Sequence, residues 1–373
     1  MMKKRNNILL YPFSVIYGMI TDIRNFLFNT GLFKSKEFRI PVICVGNITV
    51  GGTGKTPHTE YLIELLHEHF KIAVLSRGYK RKTRGFVVAE KSSGVKEIGD
   101  EPKQMSMKFP DVLIVVDRNR VDGVNEIMET WPQTEAVILD DGFQHRKIKP
   151  GFSILLTDFS RLMIEDSMLP YGNLREHIDN KRRADMIIVS KSPRNINPMQ
   201  RRIMVKDIGK APYQHLYFTS LNYKEPVPVF REAGIKSMSP VMSDKHEGGA
   251  VLVTGIANAE SLKEHLLLTF PEIKHLSYPD HYNFRDADIK SILTAFDELK
   301  APVKYVFTTE KDAVRLREFT IIAEPLKSAL FYIPIGINFL NDDKEEFDKI
   351  IIDYVRKNKG NNRFSKVKGN KQT

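Results

Sequence analysis

A chain of 373 residues with a formal net charge of +11 and a single cysteine is long enough for one elaborate domain or two lobes, and it excludes a disulfide framework. The charge is concentrated at the ends: residues 1–40 carry a net +5 and residues 356–373 a net +7, leaving residues 41–355 near neutrality at −1. The basic balance is therefore no argument for nucleic acid, and none is expected as a partner.

The chain opens with Lys3-Lys4-Arg5 ahead of an apolar run from Ile8 to Ile20. The run is too short to cross a bilayer as a helix, which takes roughly 20 apolar positions. Leu9, Phe13, Ile16, Ile20, Ile23 and Leu27 recur at three- and four-residue spacing, with Asp22, Asn25 and Asn29 on the opposite side. This predicts an amphipathic helix. It either packs on the protein's own core or lies in a membrane surface, and the basic flank and aromatic content favour an anionic membrane. No small-residue cleavage site follows the run, so a removed signal peptide is not expected.

Next comes the apolar run Pro41–Val45, expected as a strand with Cys44 as a small core residue, and then Gly46-Asn47-Ile-Thr-Val-Gly51-Gly52-Thr53-Gly54-Lys55-Thr56-Pro57. A strand emptying into a glycine-rich loop at a helix N-terminus exposes backbone N–H groups to phosphate oxygens. Position 49 is Thr where the standard spacing has glycine, and the spelling Gly-Gly-Thr-Gly-Lys-Thr matches a variant loop found in small-molecule kinases and membrane-partitioning ATPases. Lys55 is expected at the β and γ phosphates of ATP, and Thr56 on magnesium.

Short β-rich runs then alternate with helical stretches: Lys71–Ser76, Val112–Val116, Ala136–Asp140, Ser153–Asp158, Met186–Ser190, Val251–Gly255, Val303–Thr309 and Leu330–Ile335. Helices are expected over Pro57–Phe70, Asp286–Leu299 and Lys344–Arg356. The alternation implies an α/β fold: a phosphate-loop core with a mostly parallel sheet, plus a smaller C-terminal α/β lobe. Pro226, Pro228, Pro240, Gly248 and Gly249 mark residues 193–249 as loop-rich. The expected division is a membrane-associating segment over 1–40, the kinase-type core over 41–225, a second lobe over 226–357 and a basic disordered tail over 358–373.

Asp140-Asp141-Gly142 ends an apolar strand. Downstream of a phosphate loop, that placement favours magnesium binding over a simple tight turn. Gly99-Asp100-Glu101-Pro102 reads as a turn or helix cap or as a carboxylate pair serving an acceptor hydroxyl, and Asp280-His281 by itself most often reads as a surface turn; the residues alone leave both undecided.

Together these segments resemble the tetraacyldisaccharide 4'-kinases of lipid A biosynthesis. The resemblance is carried, in family order, by Gly46–Pro57, Ser76-Arg77-Gly78-Tyr79, Gly99–Pro102, Arg120-Val-Asp122, Asp140–His145, Leu169-Pro170-Tyr-Gly172-Asn-Leu-Arg175-Glu176, Asp280-His281 and Thr309-Glu310-Lys311-Asp312. It implies transfer of the ATP γ-phosphate to the 4'-hydroxyl of an acylated glucosamine disaccharide 1-phosphate at the inner face of a bacterial cytoplasmic membrane, with no obligate protein partner. It implies Asp100, assisted by His281, as general base. Thr56, Asp140, Asp141 and Glu101 would place Mg2+, and Arg77, Arg120 and Arg175 are candidates for phosphate contacts. The pattern departs at Phe143, Tyr171, Asn173 and Tyr282; the last stands where a second histidine often follows His281, which puts the weight on His281. The rival reading is a regulatory switch ATPase or GTPase, disfavoured by Val50 where such proteins commonly carry a second loop lysine.

Overall fold

The apolar run after Pro41 forms a strand, β1 (Val42–Gly46), that is buried on both faces, and it becomes the centre of the molecule. The computed structural model describes residues 8–230 and 248–359. Lys3-Lys4-Arg5, Pro240 and all but the first two residues of the basic tail lie outside the described residues. In chain order the first lobe adds β2 (Ile72–Ser76), β3 (Val87–Val88), β4 (Leu113–Val116), β5 (Ala136–Asp140), β6 (Phe152–Asp158), β7 (Met186–Ser190) and β8 (His215–Tyr223). The second lobe contributes β9 (Val227–Pro228), β10 (Gly249–Thr254), β11 (Glu272–Ser277), β12 (Lys304–Thr309) and β13 (Leu330–Ile333), and β14 (Ile335–Phe339) follows.

The strands form two sheets. The larger has the order β14-β8-β7-β6-β1-β5-β2-β4-β3, parallel throughout except for the antiparallel edges β14 and β3. The smaller runs β11-β10-β12-β13-β9, parallel but for β9. Successive residues of a strand point to opposite faces, so Ile43 and Val45 join one core layer while Cys44 joins the other. The first of these layers takes Leu62, Ile63 and Leu66 from the helix Lys55–His67. The other takes Val124 and Ile127 from the helix Arg120–Thr130. Cys44 is fully buried, and burial pushes its thiol up to about 12, in keeping with an inert core residue.

Two expectations need correction. The loop-rich region contains a helix, Pro198–Ile208, and β8, which pairs in parallel with β7. The alternation in His215–Tyr223 was outweighed by the prolines and glycines that follow it. The expected single strand Leu330–Ile335 divides at Pro334. Proline has no N–H to give a ladder, and there the chain leaves the smaller sheet and returns to the larger one as β14. The helix Lys344–Lys359 follows it, burying Phe347, Ile351 and Val355 against the first lobe. The second lobe of the described residues therefore ends near Ile333 rather than at residue 357.

Phe347 is 2% exposed in this layer. Phe347→Ala should cost about 3–5 kcal/mol in urea unfolding followed through Trp131, the chain's one tryptophan, which lies in the first lobe.

Candidate active site

Parallel strands of an α/β sheet present their C-terminal ends to ligands, and the loops after β1, β2 and β5 converge there. Gly54, at φ +80°, caps the helix Lys55–His67, and Gly51, at φ +98°, turns the loop; both are left-handed conformations that a side chain would strain. A Cβ on Gly52 would meet nothing within 4 Å, so the loop's crest is open to an approaching group. The loop is braced from behind. Asn47 donates from Nδ2 to Thr53 Oγ1 at 2.8 Å, Ser190 donates to the Thr53 carbonyl at 2.8 Å, and Arg161 to the Val50 carbonyl at 2.7 Å. Gly46 serves packing, because a Cβ there would lie 2.6 Å from Phe143 Cβ.

Lys55 Nζ stands 3.5 Å from Asn47 Oδ1 and 3.7 Å from Asp141 Oδ1. Asp140 accepts from Ser76 Oγ at 3.0 Å and Thr59 Oγ1 at 3.4 Å. Burial, then the charges of Glu101 and Asp141, push Asp140 up to about 6 against the pull of Lys55. Asp141 is also penalised by burial, but Lys55 and Arg175 outweigh this and hold it below the usual range. Its Oδ1 is buried with no hydrogen-bond partner. A crowded carboxylate pair, one member raised and one lowered, with a buried oxygen that has the Lys55 ion pair but no hydrogen bond, beside a phosphate loop suits a divalent cation. Among the described residues no three metal-ligating side chains form a ready-made cage. That suits magnesium, which takes one or two carboxylates and fills its remaining positions with phosphate oxygens and water.

The expected arginines separate. Arg175 lies 3.4 Å from Asp141 Oδ2 and 3.3 Å from Gln144 Oε1. Arg77 is exposed at the end of β2, close enough to oppose the charge on Arg120 and His145. Arg120, however, is 2% exposed and spends its guanidinium on the backbone carbonyls of Asp117 and Asp140. As placed it braces the end of β5 instead of facing an open site; burial has overtaken the expectation of a direct phosphate contact.

Asp100 opens the helix Asp100–Lys108 and is 6% exposed. The loop before it nests on the loop after β2: a Cβ on Gly78 would lie 2.8 Å from the Ile98 carbonyl, and one on Gly99 would lie 3.0 Å from that of Tyr79. His281 comes from the other lobe, and its Nδ1 meets Asp100 Oδ2 at 2.8 Å. Arg315, 5% exposed, donates to the same oxygen and to Asp312 Oδ1 at 3.0 Å. Burial pushes the Asp100 carboxyl up, but the hydrogen bonds from His281 and Arg315 prevail and hold it at about 2. Lys311, on the helix Glu310–Leu316, lies 3.0 Å from His281 Nε2 and 3.3 Å from Glu101 Oε1. Neither Arg315 nor Lys311 was singled out from the sequence as a site residue. The available signal was the i, i+3 spacing of Asp312 and Arg315 just after Thr309-Glu310-Lys311.

The model of the family described as "Tetraacyldisaccharide-1-P 4'-kinase" matches residues 6–356. The chain belongs to that family. The tetraacyldisaccharide 4'-kinase of Phocaeicola vulgatus is 48% identical over 358 residues, covering 95% of this chain and 97% of that one. The enzyme of the same name from Bacteroides thetaiotaomicron is 46% identical, with 95% of each chain covered. A crystal structure of LpxK from Aquifex aeolicus, described as an "apo" form in complex with ATP, superposes with a TM-score of 0.70 at 27% identity, over 93% of this chain and 98% of that one. This lipid A 4'-kinase family member is thus an ATP-dependent kinase.

With Asp140 raised to about 6 by burial and its acidic neighbours, a cation held there would displace a proton. Binding of magnesium with a non-hydrolysable ATP analogue should release about half a proton more at pH 6 from the unaltered protein than from Asp140→Asn, and at pH 8 the two should release alike. Calorimetry in buffers of different ionisation heat measures both.

Proposed function

We propose that the protein moves the γ-phosphate of ATP to the 4'-hydroxyl of tetraacyldisaccharide 1-phosphate with His281 Nε2 as proton acceptor and Asp100 as its orienting partner. This reverses the division of labour that the resemblance implied. The observation that carries it is the state of Asp100: buried, engaged by two donors on one oxygen and held at about 2, it is a weak base. Imidazole is the side chain whose ordinary titration falls near neutrality. Asp100 then fixes the ring through Nδ1 and leaves Nε2 for the hydroxyl. Lys55 and the loop N–H groups hold the β and γ phosphates, with Arg77 and Arg175 at the rim of the same site. Thr56, Asp140, Asp141 and Glu101 are the residues that would hold Mg2+, which supplies neutralisation of phosphate charge.

The second part of the proposal concerns where the lipid is met. No helix among the described residues is long and apolar enough to cross a membrane. The helix Tyr11–Asn29 turns its polar side to the body: Ser14 donates to the Met168 carbonyl at 2.6 Å, Tyr17 to that of Arg175 at 3.0 Å, Arg24 to that of Gln144 at 3.1 Å, and Asn25 to Glu176 at 3.2 Å. Its apolar side faces out, with Phe13, Ile16, Ile20, Ile23 and Phe26 each more than half exposed. A surface helix of a soluble protein is arranged the other way round, and an apolar stripe of this size finds its place in an acyl layer. The protein is accordingly a peripheral enzyme of an anionic membrane surface, the cytoplasmic face of the inner membrane, acting on a substrate that stays in the bilayer. The first 40 residues form the docking segment and the two lobes carry the catalytic site.

His281→Gln and Asp100→Asn should each lower kcat by about 10²–10⁴-fold while leaving nucleotide affinity near that of the unaltered enzyme, measured by label transfer from Mg·ATP to the lipid in micelles. Normal turnover in His281→Gln would remove it as the base. Replacing Ile16, Ile20 and Ile23 together by glutamate should weaken binding to anionic vesicles by at least about tenfold without changing ATP affinity. Equal loss of both would mean that the helix is needed for folding.

A further inference from the structure

The crest of the phosphate loop is made of two successive glycines, Gly51 and Gly52, which tolerate many backbone conformations and lose the most freedom when one is imposed. Within the crest the Thr53 N–H bonds the Gly51 carbonyl at 3.0 Å, and the neighbouring carbonyls are held from outside the loop. Arg161 holds that of Val50 and Ser190 that of Thr53. The Gly52 carbonyl belongs to Lys191, which directly follows β7 and whose Nζ also donates to Asp158 Oδ2 at 2.8 Å. The far end of this grip is fixed in turn: Asp158, buried at the end of β6, accepts from the N–H and the hydroxyl of Ser160 at 2.9 and 2.6 Å. Lys191 itself sits at φ +56°, a left-handed conformation that a residue with a Cβ rarely adopts. Such a conformation persists where its surroundings over-determine it, and functional sites are where it gathers.

We propose that Lys191 is a positioning residue for the nucleotide: by holding the Gly52 carbonyl toward β7 it sets the glycine-rich crest in its phosphate-binding form before ATP arrives. The proposal rests on the reading of Gly51–Thr56 as the loop that holds the phosphates. Peptide planarity gives the grip its consequence, because a carbonyl and the N–H of the next residue point in opposite directions across a trans peptide. With the carbonyls of Gly52 and Thr53 drawn to β7, neither oxygen is left to face an anion, which it would repel, and the Gly54 N–H is directed away from β7. Released, the two glycines would have to be ordered by the nucleotide itself, at the expense of its affinity. Lys191 thus acts through the backbone, whereas Lys55 is the lysine that meets the phosphates. A loop set in advance favours the bound ground state and the transition state alike, so its loss belongs in nucleotide affinity and not in the chemical step.

The test uses the full chain in micelles, with Mg·ATP and tetraacyldisaccharide 1-phosphate as substrates and a fluorescent ADP analogue as binding probe. Lys191→Met removes the grip and keeps the stem. It should raise KM for Mg·ATP and Kd for the ADP analogue by at least about tenfold. At saturating nucleotide kcat should stay within about threefold, with KM for the lipid unchanged. Lys191→Arg, which keeps donors for both the carbonyl and Asp158, should restore most of the affinity. Lys191→Gly separates positioning from stability: it removes the grip but suits the left-handed backbone, so its urea midpoint should hold or rise while nucleotide affinity falls as in Lys191→Met. Unchanged nucleotide affinity in these two variants, a loss that tracks a lowered urea midpoint in both, or a fall in kcat with KM unchanged overturns the proposal. Lys55→Met separates the two readings. If that variant keeps normal nucleotide affinity and turnover, the reading of the loop fails; if it is impaired while Lys191→Met binds nucleotide normally, only the role of Lys191 fails.

Discussion

The arrangement of this enzyme depends on one buried carboxylate. Asp100 belongs to the first lobe, and both groups that satisfy it, His281 and Arg315, belong to the second. Burying a charge costs several kcal/mol unless it is paired and hydrogen-bonded. The pairing here is itself anchored: Arg315 also holds Asp312, and Asp312 accepts from the Gly255 N–H at 2.8 Å and from Thr309 Oγ1 at 2.7 Å at the ends of β10 and β12. The contact that closes the lobes on each other is therefore the one that aims the imidazole. A displacement of either lobe would break the Asp100–His281 bond before it disturbed the phosphate loop.

The phosphate-loop side of the site has its own support, and that support runs to the N-terminal helix. Arg175 and Gln144 touch each other and Arg175 touches Asp141, while their backbone carbonyls receive Tyr17 and Arg24 of the N-terminal helix. Arg146 adds bonds to Asn25 and Asn29. The inverted helix is thus tied by polar contacts to residues one step from Asp141. An outward apolar stripe exposed to water is unfavourable, and these hydrogen bonds hold it there; in a bilayer the same stripe becomes a source of binding energy.

Electrostatic crowding is the common device. Asp140 is pushed up by burial and by its acidic neighbours, Asp141 is held down by Lys55 and Arg175, and Asp100 is held far down by His281 and Arg315. Three carboxylates within one site thus differ by environment alone. Divergence of this kind gives neighbouring carboxylates different charge states in one cleft.

The sequence by itself determined the parts whose physics is local. A glycine-rich loop between an apolar strand and a helix, strand-end aspartates and a three-to-four-residue apolar period are each written in one short stretch of neighbouring positions, and each was found where it was expected. Lobe membership was not local: only Pro334, by withholding an N–H, shows where the chain leaves one sheet, and only the sheet order shows where it goes. Arg120 reads as a phosphate arginine until burial turns it onto backbone carbonyls. The roles of Asp100, His281 and Arg315 depend on contacts spanning more than 180 residues of chain, as in the Asp100–His281 bond, and on how far each group is removed from water. Charge state follows burial and partner, and those exist only once the two lobes have closed.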